Sequence, residues 1–135
     1  MDWSAWVGLD WKDRGRGEGG YDCWGLVAAA FEAGTGIALP SHSDGYSTAA
    51  DRQETALILA LETGHTHNWI IVPDGTERPF DVAVMRNEKR LHVGIVVRRG
   101  LLLHMPFRET SRIEPLTRFV KPEVWRHRRL SSQGD

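Results

Sequence analysis

The stretch Tyr21-Asp22-Cys23-Trp24-Gly25-Leu26-Val27-Ala28-Ala29-Ala30-Phe31 sets the frame in which the rest of this chain is read. Leu26, Val27, Ala30 and Phe31 recur at helical spacing and make one buried stripe. Asp22 suits the N-cap, and Gly34 and Gly36 supply a stop, so the pattern predicts a helix from Cys23 to about Ala33. A cysteine in that first turn sits where backbone N–H groups are unpaired and the helix dipole is positive. This placement favours thiolate over thiol, lowers the pKa from a free value of ~8.5, and offers donors to a developing oxyanion. A lone cysteine is more often an inert buried residue; the capping Asp22 and the small Gly25 set Cys23 apart.

Upstream, residues 13–20 (DRGRGEGG) read as an exposed glycine-rich loop. It lacks the Lys-Ser/Thr ending and the preceding strand of a phosphate loop. Downstream, Ile37-Ala38-Leu39-Pro40 is an extended exit. A second helix is expected from about Thr48 to Thr63, capped by Ser47 and stopped by Gly64. The period then changes to that of strands, expected at 69–72, 80–85, 92–97 and 101–105. Residues 116–127 read as a final strand or short helix interrupted by Pro122. Helices first and strands later give an α+β fold, N-terminal helices packed on an antiparallel sheet. Residues 1–130 form one domain, and 131–135 a frayed tail.

The strands at 92–97 and 101–105 carry the second chemical feature. A three-residue loop, Arg98-Arg99-Gly100, with Gly100 left-handed, pairs Val96 with Leu102 and sets Gly94 opposite His104. Side chains alternate along a strand, so His92 and His104 share a face, one diagonal step apart. Gly94 leaves open space between them. Two such histidines supply a base for the thiol (His92) and a group that fixes that base's tautomer (His104). The structural alternative is two ordinary strand histidines. His42 and His127 receive no role, and His65-Thr66-His67 reads as a loop pair.

The bulk numbers exclude several classes. The chain has 135 residues, one cysteine and a formal net charge of −1, so no internal disulfide is formed. Arg98–Arg129 holds nine basic residues against three acidic ones, a net of +6 that leaves −7 for the rest. That basic third is read as a mostly solvated face and, in the sharper reading, as a docking surface for an acidic partner or anionic polymer. No motif supports nucleic-acid binding. The N-terminus shows no secretory pattern, and no apolar run is long enough for membrane insertion. Six tryptophans are mostly expected in core and rim packing, with one or two available to line a groove.

The motif Tyr21-Asp22-Cys23-Trp24-Gly25-Leu26-Val27 resembles the nucleophile motif of the NlpC family of cell-wall cysteine peptidases. Ile37–Pro40 resembles the exit from that family's helix. Pro79-Phe80-Asp81-Val82-Ala83-Val84 is similar to its P-G-D-L-V strand, His92-Val93-Gly94-Ile95-Val96-Val97 to its H-V-G-I motif, and Leu103-His104-Met105 to its hydrophobic-His step. The resemblance spans about residues 20–107 in the family's order. It implies a papain-like fold, a Cys23-His92-His104 triad, no cofactor or metal, and hydrolysis of peptidoglycan stem peptides. It further implies that Asp22 binds a free amino end with Tyr21 nearby, and that Trp24, in place of the family's usual Ser, reshapes the substrate pocket that Gly94 also borders. Phe80 stands where the family has Gly. The Cys-Trp form resembles short proteins of phage tails and gene-transfer agents, which implies tail hub or baseplate partners and a place at the tail tip of such a particle. Three alternatives stay open: a structural hub or plug with vestigial catalysis; an amidase or acyltransferase on the same scaffold; and zinc held by Cys23, His92 and His104.

Overall fold

The computed structural model describes residues 1–42, 68–87 and 90–131. The helix expected at 48–63, the His65/His67 pair and the tail beyond Ser131 lie outside these residues. A two-stranded ribbon, β1 (Arg16–Gly17) and β2 (Gly20–Tyr21), occupies the stretch read as a loop. It feeds directly into α1 (Cys23–Thr35). Asp22 caps that helix, its Oδ1 accepting the Gly25 N–H at 2.7 Å. Gly36, at φ 78°, ends it. Gly34 was expected to stop the helix but lies inside it, where a Cβ would fall 2.1 Å from the Phe80 ring. It is a notch that Phe80 fills.

Six further strands form one sheet: β3 (Trp69–Val72), β4 (Val82–Asn87), β5 (Arg90–Arg98), β6 (Leu101–His104), β7 (Arg112–Pro115) and β8 (Glu123–His127). Their order is β3-β8-β4-β5-β6-β7, and every pairing is antiparallel. β7 was not foreseen. β8 begins after Pro122, and 116–118 is a single 3-10 turn, so the expected final element divides at the proline. One sheet face presents Val82, Val93, Ile95, Leu103 and Met105 to Leu26, Val27, Ala30 and Phe31 of α1. Each of the larger side chains, Ala30 aside, contributes about 1.5–3 kcal/mol by leaving water. The other face carries a smaller cluster of Val72, Ala83, Met85, Val96, Leu102, Leu116 and Val124. Among the described residues no helix is long and apolar enough to cross a membrane.

The N-terminal segment is fastened by Ser111. Its buried hydroxyl accepts the Leu9 N–H at 2.9 Å and donates to the Trp6 carbonyl at 2.6 Å. Bridges Asp10–Thr110 and Trp11–Tyr21 continue the attachment, which lays the segment beside the start of α1. Trp3 packs on Phe80, Trp6 on Tyr21 and Trp11 on Phe107. These tryptophans therefore pack, as expected for most of them.

Candidate active site

Cys23 sits in the first turn of α1, 1% exposed, with its thiol facing the backbone N–H of Val93. The cysteine thus meets β5 one residue beyond His92. Burial pushes the thiol pKa up to about 12, and the adjacent Asp22 carboxylate adds to the rise. The Val93 and Trp24 N–H groups and Arg16 pull the other way and lose. The expected depressed pKa is thereby corrected. The helix start acts in the predicted direction, but taking a thiolate out of water costs more than two N–H groups return.

His92 and His104 come together. His92 Nε2 lies 2.8 Å from His104 Nδ1, with the rings edge to face. The register that unites them is Gly94 opposite His104, as the hairpin reading required. The route to it differs: Arg98 pairs with Leu101, so the loop is only Arg99-Gly100, and a bulge at Val97 restores the parity that a two-residue loop would have broken. Gly94 is not open space. A Cβ there would lie 2.1 Å from Leu102 Cδ1 and 3.2 Å from His104 Cβ, so its absence admits Leu102 and seats His104. His92 is half-buried as a residue, yet its ring is packed in. That burial, with His104 second, pushes its pKa down to about 3. His104 is 4% exposed and is also shifted down, chiefly by burial, against the opposing pull of Glu114. At neutral pH the site therefore holds a thiol and two neutral imidazoles.

The remaining sequence-picked residues divide. Asp22 is 2% exposed, and its Oδ1 takes both the Gly25 N–H and the Arg16 guanidinium, at 2.7 and 2.8 Å. That oxygen is already matched to a cation from the chain itself. Trp24 is 1% exposed, and its indole N–H donates to the Pro40 carbonyl at 2.8 Å. It is a core residue that ties the exit segment to the helix start. Tyr21 stays half-buried against Trp6. His92 and His104 each turn a nitrogen on the other, the geometry of a relay rather than of ligands around a common metal. Among the described residues no three Cys, His, Asp or Glu side chains converge in that way.

One residue was missed. Glu114 Oε2 faces His104 Nε2 at 3.4 Å, an electrostatic contact too long for a well-formed hydrogen bond. The signal was the alternation Arg112-Ile113-Glu114, legible only if 112–115 is taken as a strand. A cavity of about 760 Å³ opens on the sheet face that also carries Val96 and Leu102, lined by Glu77, Leu116, Phe119 and Val124 among others. Phe119, part of that lining, packs its ring edge-on against His104.

A family model described as NlpC/P60 family matches residues 6–129. The fold is similar to the NlpC/p60 domain of the peptidoglycan hydrolase SagA, with 14% identity, 90% of this chain and 89% of that chain covered, and a TM-score of 0.61. It is similar to an NlpC/P60 family protein from Bacillus cereus (19% identity, 84% and 32% covered, TM-score 0.57). It also resembles a hypothetical invasion protein of Mycobacterium tuberculosis (24% identity, 92% and 57% covered, TM-score 0.55). Thus the chain spans about a third and somewhat over half of the latter two. No curated protein matches it by sequence.

Proposed function

Because the chain belongs to the NlpC/P60 family, a family of cysteine peptidases and peptidoglycan hydrolases, we propose that it hydrolyses stem-peptide amide bonds of peptidoglycan with Cys23 as nucleophile and His92 as base. The observation that carries this reading is the 2.8 Å contact between His92 Nε2 and His104 Nδ1, placed beside a helix-start cysteine whose thiol meets Val93.

With Nε2 of His92 committed to His104, Nδ1 is the ring nitrogen left for the thiol. Proton transfer from Sγ to Nδ1 accompanies attack of sulfur on the scissile carbonyl. The Gly25 N–H is spent on Asp22 Oδ1 and the Leu26 N–H on the Asp22 carbonyl. The Trp24 N–H faces the Cys23 thiol itself, so the Cys23 N–H is the first-turn donor left to face the oxyanion. Imidazolium His92 returns its proton to the leaving amine. A water, deprotonated by the same nitrogen, then releases the acyl group from sulfur. His104 holds the ring of His92 through both steps. A resting thiol and neutral imidazole suit this sequence, since the proton moves as the bond forms.

Delivery of the domain to the wall by a phage-like tail, with hub or baseplate partners, completes the proposal. It is supported by the resemblance of the Cys23-Trp24 form alone. The second reading, a tail hub component with vestigial catalysis, draws on the depth at which Cys23 is buried. Digestion of purified peptidoglycan followed by mass spectrometry separates the two. Split stem peptides that vanish with Cys23→Ala uphold the hydrolase. Undigested wall, or identical products from the variant, removes it.

A further inference from the structure

The contacts of Glu114 extend the site beyond its three sequence-picked members. We propose that Glu114 is a positioning residue that holds the proton of His104 on Nε2 and thereby leaves Nδ1 of His92 bare. The assignment rests on the hydrolase reading for its catalytic meaning but not for its geometry.

A neutral imidazole carries one N–H donor and one bare acceptor, whereas an ionised carboxylate only accepts. His104 Nε2 faces Glu114 Oε2 at 3.4 Å, so the proton of His104 belongs on that nitrogen. His104 Nδ1 is then an acceptor, and the hydrogen in the 2.8 Å contact comes from His92 Nε2. His92 is consequently bare at Nδ1, the form a general base requires. The reverse arrangement would set a lone pair against a carboxylate in a buried position.

Glu114 is itself held. Arg112 Nε lies 2.6 Å from Oε1, and Arg118 Nε lies 3.2 Å from Oε2. Strand register explains the cluster: Arg112 pairs with His104 and Glu114 with Leu102 across β6 and β7, so all four share one face. Phe119 closes over His104 at 5.4 Å. The charged groups acting on His104 are Glu114 and Arg112 from β7 and Glu109 from the preceding loop, with His92 from β5. Glu114 and Glu109 favour its protonated form, and Arg112 opposes it.

The test uses full-length protein with 15N-labelled histidine, as wild type, Glu114→Ala and Glu114→Gln. Two-bond 1H–15N correlation spectra read the tautomers, pH titration reads His104, and stem-peptide cleavage gives kcat and KM. Wild type should show both rings protonated at Nε2. Glu114→Ala should move His104 toward the Nδ1–H form, lower its protonation midpoint, and reduce kcat by about tenfold with KM little changed. Glu114→Gln keeps the side chain's shape but not its charge, so it should lower the midpoint and slow turnover even if the alanine variant fails to fold. Wild-type tautomers in Glu114→Ala, or an unmoved midpoint in Glu114→Gln, would overturn the assignment. Should the wild type cleave nothing, the hydrolase reading falls, while the tautomer shift still upholds the role of Glu114 or its absence still removes it.

Discussion

A thiol at a helix start is pulled two ways, and Cys23 shows which pull is larger. Two backbone N–H groups and Arg16 favour its thiolate; burial and Asp22 oppose them, and the pKa rises from 9.0 to about 12. The sign follows directly. A raised acid stays protonated through neutral pH, so its reaction with iodoacetamide should be slow at pH 7. The rate should climb about tenfold per pH unit toward pH 10 without a plateau. The same shift bears on folding: stability is full below pH 9.0 and declines as pH rises toward the folded value, because the unfolded chain releases that proton first. Alkylation with a midpoint below pH 8 would show a resting thiolate and remove the concerted proton transfer proposed above. Residue identity alone could not settle this. The first-turn position of Cys23 is written in the sequence, but the depth of its burial depends on Val93 and the strands around it.

At the scale of the element, the hairpin β5–β6 makes the histidine pair, and its parity was legible because side-chain alternation is a property of any strand. The turn was not legible, since Arg98-Arg99-Gly100 supports either a three-residue loop or a two-residue loop with a bulge. α1 was readable from its cap and apolar stripe. β7 escaped because four residues, two of them charged and one proline, carry too little apolar pattern to mark a strand, and Glu114 escaped with it. Phe80, at φ 74°, occupies backbone that glycine favours, and its ring fills the notch at Gly34. Gly94 makes the element-level prediction. Alanine there meets Leu102 Cδ1 at 2.1 Å and the Leu103 carbonyl oxygen at 2.9 Å. Gly94→Ala should therefore cost ~1–3 kcal/mol in chemical denaturation. Adding Leu102→Ala, which clears one of the two obstacles, should recover part of that loss; strict additivity would deny the contact.

For the whole molecule, eight of the nine basic residues of the C-terminal third are exposed, the solvated face expected from the sequence, and Arg126 is half-buried. Arg112 and Arg118 close on Glu114, and Arg126 reaches Asp81, so these three are fixed by carboxylates of the chain itself. The Arg126–Asp81 pair joins the start of β4 to β8 across 45 positions of sequence. Both guanidinium contacts are 2.8 Å, and the Arg78 N–H supplies a third donor at 2.9 Å. Asp81 is 1% exposed, so removing its cation strands a carboxylate in the core. Arg126→Met should cost about 3–5 kcal/mol. Asp81→Asn in the same chain should return a good part of it, because the buried charge then goes with its partner. Thermal unfolding of the two variants checks this, together with cleavage by the folded fraction, which should match wild type. An Arg126→Met protein as stable as wild type would mean that Asp81 is not held as a buried anion. Lost cleavage in a folded double variant would show that the β4–β8 junction reaches the histidine pair, which sits on the neighbouring strands of the same sheet.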